Sequence, residues 1–368
     1  MSEPHDRLRE VIDRASAGLT DRRALVELTV LAAVAGEHLL VAGPPGTAKS
    51  EAIRRVAALI EARSFEYLLG RFTEPSEIFG PVDLRRLQEG VYATITDGML
   101  PEAEIAFLDE VFRGSSAILN ALLTLLNERT WRRGGTVLRC PLRVAVGATN
   151  ELPDDPGLAA FADRFLLRVF VEPVPDSQIE ELLTAIERAP DLTPVASTAD
   201  LDALHRAAAE VDLGPVRPLL ADALLRLREA GVELSDRRMV RSQALLRAAA
   251  ALDGRREASA RDLWTLVHVA PTAPEQALAR EVLEASLASS ANGLLPEAAE
   301  LAARGPAARA HRLLLAAQAL LAAPGFDGAW RTSVEALLHE IDASLDPSRL
   351  PDELAAARRR LAALLGAG

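Results

Sequence analysis

The sequence predicts an α/β protein: a three-layer αβα core on a parallel sheet, then an all-helical portion and a helical C-terminal region. Three observations carry that expectation. The stretch Gly43-Pro44-Pro45-Gly46-Thr47-Ala48-Lys49-Ser50 lies between an apolar run, 38–42, and a segment of helical apolar spacing, 51–60. Strand, glycine loop and helix in that order form the setting in which backbone N–H groups and a helix dipole can cradle a phosphate. Short apolar runs bounded by polar residues recur at 105–108 and 142–148, as buried parallel strands do. Beyond the prolines at 173, 175, 190 and 194 the strand-like runs stop and Ala/Leu-rich helical spacing takes over.

Composition agrees. A chain of 368 residues is long enough for two or three domains, each with its own core. Apolar residues make up 49% of it and aromatics only 4%, so Ala, Leu and Val must supply the packing, a bias toward helix. The formal charge of −12 argues against an intrinsic grip on nucleic acid. Cys140 is the single cysteine, which excludes an intrachain disulfide and a cysteine metal cluster; a small buried side chain is the expected role. Residues 1–10 are charged and lack the apolar core of a secretory signal, and the run 313–323 is too short to span a bilayer. A cytoplasmic protein without a transmembrane segment is expected.

In chain order, 8–20 and 21–35 read as amphipathic helices beside the first strand, 38–42. The loop and its helix follow, then a strand at 65–69 and a polar, turn-rich connection at 71–80. The β-branched alternation of 90–98, bounded by Gly90 and Gly98, predicts a short hairpin or strand. Residues 105–108 are a buried strand, 115–129 a helix with Ile118, Leu119, Leu122, Leu125 and Leu126 on one side, and 131–136 a hairpin turn. Buried strands at 142–148 and 166–171 complete the core. Helices are expected at 200–211, 217–230, 237–252 and 260–269, the last opened by the capping-box spacing of Ser259 and Asp262. The organisation expected is a core over 1–190, a helical domain over 191–275 and a helical C-terminal region over 276–368.

The candidate site residues come from strand ends. Lys49 would reach the β- and γ-phosphates of a nucleotide and the Ser50 hydroxyl would hold Mg²⁺. Ala48 stands where the strict loop pattern has a second glycine, which is tolerable if the residue has helical dihedrals. Asp109 and Glu110 close the strand 105–108 at its C-terminal end, where doubly wound sheets place their ligand. Asp109 would hold Mg²⁺, through water, and Glu110 would orient and polarise an attacking water. Asn150, at the end of the strand 142–148, could hydrogen-bond the γ-phosphate or that water; an ordinary turn residue is the alternative. Arg164 precedes the last strand in an acidic and apolar setting, and a local pair with Asp163 is its alternative. Arg237 and Arg238 put two cations at a helix start, where the dipole disfavours them, so an anion nearby is expected.

Taken in this order, the motifs resemble those of the AAA+ ATPases, and within them the MoxR family. The loop 43–50 is similar to that family's Walker A, alanine included. Residues 72–81, 90–98, 100–110, 117–124 and 126–129 resemble its RavA-type branch. The resemblance covers about residues 20–270. It implies an αβα ATPase core over 1–190 followed by a helical lid over 191–275, with Mg-dependent hydrolysis of ATP in a ring, a homo-hexamer. Asn150 would be sensor 1, Arg164 the arginine finger and Arg237, less securely Arg238, sensor 2. The segment 90–98 would be an insert in the second core helix. The family resemblance further implies chaperone-like remodelling of protein clients, often with a von Willebrand factor A-domain (vWA) partner. Other functions open to an AAA+ core are a nucleic-acid motor or loader, a metal-chelatase motor subunit, and a nucleotide-gated scaffold. The acidic charge weighs against the nucleic-acid reading.

Overall fold

The computed structural model describes residues 3–133, 136–153, 155–174, 178–185, 190–303, 313–314, 316–318, 320–322, 328–344, 350 and 352–366. Its main sheet is built from β1 (Leu39–Ala42), β2 (Ser64–Leu68), β3 (Ile105–Asp109), β6 (Val144–Thr149) and β7 (Leu167–Phe170). These five strands are parallel and lie in the order β2-β3-β6-β1-β7. The remaining two, β4 (Thr130–Arg133) and β5 (Thr136–Arg139), make the expected hairpin beside it. In β1, Leu39 lies opposite both Val146 and Leu167.

Alternation along the strands splits the core into two layers. Leu39, Val41, Ile105, Phe107, Val144 and Val146 face one way, toward α1 (Pro4–Ser16), α2 (Arg23–Ala35) and α3 (Lys49–Leu59). Leu40, Ala106, Leu108 and Ala145 face the other, toward α6 (Ser116–Glu128). With both faces covered, the central strands must be apolar throughout, which is why they read as continuous runs. His38, fully buried at the foot of β1, accepts from the Ala145 amide and lies against the Leu126 carbonyl and Arg129. Burial and the Arg129 cation hold its imidazole well below the ordinary range. Cys140 is buried, and burial pushes its thiol up to about 11, so it packs as a small inert side chain.

The segment 90–98 departs from expectation. It forms no strand; Thr94 makes a single antiparallel bridge to Val82. Two bonds, Asp83 N–H to the Ala93 carbonyl and Ile95 N–H to that of Pro81, join the arms. Between them the chain forms the short helix α5 (Leu84–Gln88), capped by Asp83. The alternation therefore finds only three residues of partner, and Leu84, Leu87, Val91, Tyr92 and Ile95 remain exposed.

The helical portion expected to form a lid follows as α9 (Thr198–Glu210), α10 (Arg217–Glu229), α11 (Asp236–Leu252) and a 3₁₀ helix, Ala260–Val269, opened by the expected Ser259/Asp262 capping box. The next helices, among them α14 (Pro296–Ala303), share one apolar cluster with α2 and the lid. A second small cluster joins Trp330, Val334 and Ile341 to Leu354 and Leu361. There Arg358 pairs with Asp342 at 2.7 Å while Arg359 and Arg360 face solvent. Prolines 306, 324, 347 and 351 lie outside the described residues. Among those described, no helix is long and apolar enough to cross a membrane.

One buried contact ties α14 to the core. Glu27 on α2 accepts the Ala298 N–H at 2.7 Å, serving as a cap from another element, and accepts from Arg23 at 3.1 Å. Burial raises its carboxyl from 4.5 to about 7, against the opposing pull of those donors. The folded state therefore holds this proton more tightly than the unfolded chain. Its contribution to stability is full below the unfolded value and is lost as pH rises through about 7. Glu27→Gln keeps an acceptor for Ala298 and cannot ionise. Its melting temperature should fall less than wild type's between about pH 5 and about pH 8. Equal falls in both proteins would exclude Glu27 as the group.

Candidate nucleotide site

The loop 43–50 leaves β1 at the C-terminal edge of the sheet. Its entry is fixed by neighbours: the Gly43 amide donates to the Thr149 carbonyl on β6, and the Val171 amide to that of Ala42. A side chain at 43 is impossible, since a Cβ there would lie 2.2 Å from the Val171 carbonyl oxygen. Gly46 has φ +78° and open space about it, so backbone can approach a ligand there.

Ala48 does not have the helical dihedrals that would make alanine free of strain in the place of glycine. Its φ is +56° and ψ +26°, left-handed, at the N-cap of α3. The loop reverses at this residue before the helix begins, and the methyl group costs about 1–2 kcal/mol there. No side chain caps α3, and the first-turn N–H groups of a helix have no acceptor within it. An uncapped helix start, an open glycine and a buried lysine together fit a polyphosphate.

Lys49 is 8% exposed, and its Nζ donates to the Gly43 and Pro44 carbonyls at 2.8 Å each. Burial lowers its pKa, opposed by the carboxylates of Asp109 and Glu110 and reinforced by Arg22. Those two acids therefore lie within electrostatic reach of the ammonium. Asp109 ends β3, and its Oδ1 accepts the Glu110 amide at 2.9 Å. Glu110 has φ +49°, a left-handed turn that re-aims its side chain at the strand end. Its Oε1 accepts from Asn150 Nδ2 at 2.7 Å. Lys49, Asp109, Glu110 and Asn150, from the ends of β1, β3 and β6, are thus brought together. Ser50, half-buried in the first turn of α3, faces no metal cluster: among the described residues no group of three or more His, Cys, Asp or Glu could hold an ion. Ser50 and Asp109 would hold Mg²⁺ only together with phosphate oxygens.

Two further residues at this edge escaped the sequence reading. Arg22, 4% exposed, donates from Nε to the Thr47 carbonyl and from Nη2 to that of Glu172, both at 2.8 Å. It ties the loop to the exit of β7 and to the 18–22 turn. These elements enclose a cleft of about 350 Å³ lined by Gly18, Thr20, Arg22, Pro44, Thr47 and Leu182. The second is Arg113, whose Nε lies 3.2 Å from Glu110 Oε2.

The arginines lie elsewhere. All five strands are parallel, and Arg164 precedes β7, at the opposite edge from the loop. β7 alone, at about 3.3 Å per residue, puts about 13 Å between the two edges. Arg164 is 4.0 Å from Asp163, and among the described residues its Nε has no hydrogen-bond partner. Asp163 is instead engaged by Ser235 and Arg238 of the lid. Burial, with the nearby Arg237 cation, lowers the Arg164 pKa. Arg237 is exposed in the first turn of α11. Arg238 is 1% exposed and spends its guanidinium on the carbonyls of Phe165, Leu166 and Val269. In the place of the anion expected beside these two arginines, Arg238 meets Asp163 and the carbonyls of Phe165, Leu166 and Val269. Neither Arg164 nor Arg237 is brought to the chain's own loop.

A parallel αβα sheet with a phosphate loop after β1, acids after β3 and a helical lid defines an AAA+ core. Residues 6–206 match the family described as the MoxR domain of the MoxR–vWA–β-propeller ternary systems, and residues 217–281 match an AAA lid domain. The chain belongs to the MoxR family of AAA+ ATPases. An uncharacterized protein of Methanocaldococcus jannaschii is 38% identical over 272 residues, 73% of this chain and 71% of that one. The chaperone MoxR1 of Mycobacterium tuberculosis is 27% identical over 190 residues, half of each chain. The fold is shared with a candidate ATPase of Cytophaga hutchinsonii at 16% identity, with a TM-score of 0.63 over 78% of this chain and 96% of that one.

Proposed function

We propose that this chain is a Mg²⁺-dependent ATPase that remodels protein clients, working as a homo-hexameric ring beside a vWA-domain partner. The observation that carries the reading is the Glu110–Asn150 hydrogen bond, made next to Asp109 in the chain and within electrostatic reach of Lys49. Bound MgATP would supply the phosphoanhydride to be cleaved and the cation that screens its charge. Loop 43–50 and the start of α3 bind the phosphates, with Lys49 exchanging loop carbonyls for phosphate oxygens. Ser50 and Asp109 orient the cation, Glu110 takes the proton of the attacking water, and Asn150 fixes Glu110. Because Arg164 and Arg237 lie at the far edge of the sheet, they act on a neighbour's nucleotide, which makes the ring part of the site. The vWA partner and the remodelling role follow the descriptions of the matching family and of the MoxR1 chaperone. In this reading residues 1–190 are the motor, 191–275 the lid and 276–368 an attached helical region.

Lys49→Ala tests the site directly. A ligand at a hundredfold excess over its dissociation constant stabilises the native state by about 2.7 kcal/mol. Wild type should melt at a higher temperature with MgATP and Lys49→Ala should not. An equal shift in both would remove Lys49 from the site. Clients are sought with Glu110→Gln, which should hold ATP and keep partners bound in a tagged pull-down.

A further inference from the structure

We infer that Arg113 is a positioning residue that restrains Glu110 and thereby sets the basal rate of turnover. The inference rests on the reading of Glu110 as the residue that activates water. Glu110 opens a 3₁₀ turn, Val111–Arg113, and the Arg113 amide closes it onto the Glu110 carbonyl at 2.8 Å. That bond brings the backbone of Arg113 back beside Glu110 and within reach of its carboxylate. The result is a carboxylate held from both sides, Oε1 by the Asn150 amide at 2.7 Å and Oε2 by the guanidinium at 3.2 Å. The ion pair attracts that oxygen toward the cation and so sets the position from which the carboxylate meets a water.

The two holders differ in character. Asn150 is half-buried at the end of β6, so its bond is part of the sheet edge. The Arg113 side chain is 65% exposed while that of Glu110 is 17% exposed, so the cation reaches inward from solvent. Beside the pair opens a concavity of about 950 Å³ lined by Tyr67, Leu69, Gly70 and Phe72, which leaves room for the arginine to swing away. Exposed ion pairs bias an equilibrium by about fivefold at most. Arg113 is thus a weak, removable restraint on one oxygen, whereas Asn150 is a fixed one.

The test measures steady-state MgATP turnover by the full chain together with calorimetric affinity for a non-hydrolysable ATP analogue. Arg113→Ala should raise kcat about two- to fivefold, leaving KM and analogue affinity unchanged. Arg113→Lys, which keeps a cation on a similar stem, should show a smaller rise. In a Glu110→Gln background, Arg113→Ala should change nothing, because its effect passes through the carboxylate. A double-mutant cycle on melting temperature should show coupling between positions 110 and 113. A flat or lowered kcat in Arg113→Ala with affinity intact overturns the inference. So does a rise that persists in the Glu110→Gln background, an equal rise in Arg113→Lys, or zero coupling in the cycle. Wild-type turnover in Glu110→Gln alone would instead sink the reading of Glu110 on which the inference rests.

Discussion

Arg164→Ala should bind ATP with unchanged affinity and hydrolyse it roughly 10³–10⁵-fold more slowly, the range attached to arginine fingers in characterised GTPases. The structural basis is position. Arg164 lies before β7, on the edge of the sheet opposite the chain's own loop, with a buried Nε that has no partner among the described residues. Its one ion pair among the described residues, with Asp163, is stretched to 4.0 Å, and Asp163 is already engaged by Ser235 and Arg238. A residue whose only role was that pair would contribute at most about 1 kcal/mol of stability and leave turnover normal. Arg164→Lys should rescue little, because an ammonium lacks the planar fork. Mixing separates the two accounts. Lys49→Ala subunits, inactive but carrying Arg164, should restore part of the activity of Arg164→Ala subunits. If subunits demonstrably exchange and activity does not return, Arg164 does not act across the interface.

Glu110→Gln should keep nucleotide affinity and lose roughly 10²–10⁴-fold in turnover, the usual contribution of a positioned base. The amide preserves shape and an oxygen for Asn150 Nδ2, so the local hydrogen bond survives while the proton acceptor is gone. Single-turnover rates alongside analogue binding make the measurement. Turnover near that of wild type would show that another group activates the water. Asp109→Asn should differ in kind, weakening the dependence on Mg²⁺ more than the chemistry.

What the sequence reveals of this site is what is local. The loop 43–50 and the pair Asp109-Glu110 are each contiguous, and each follows a strand whose two covered faces force it to be apolar. The remaining parts depend on contacts that spacing does not record. Arg22 reads as any surface arginine, and only the return of β7 toward the loop makes it a clamp. Arg237 and Arg238 are neighbours on a helix, about 100° apart around its axis, so which of them faces the core is set by what α11 lies against. That is the foot of β7, and Arg238 is the one turned toward it. Likewise the alternation at 91–97 is a true β pattern, but Val82 alone is bridged to it, and a strand without a partner is not a strand. At Ala48 the condition under which alanine would be free of strain, helical dihedrals, is not met, because the turn of the loop imposes a left-handed backbone that residue type does not reveal.

β7 is four residues long, and its two ends touch different chemistry. At one end, Val171 and Glu172 meet Gly43 and Arg22; at the other, Phe165 and Leu166 carry Arg238 and, one residue earlier, Arg164. A strand hydrogen-bonded in register slides past its neighbour only by whole residues, about 3.3 Å, and an odd step would turn Leu167 and Val169 out of the core. Displacements smaller than that step are therefore closed to sliding. Such a motion of the loop can reach the arginines only if β7 tilts as a stiff lever with the sheet, so that the lid start, pinned by Arg238, travels with it.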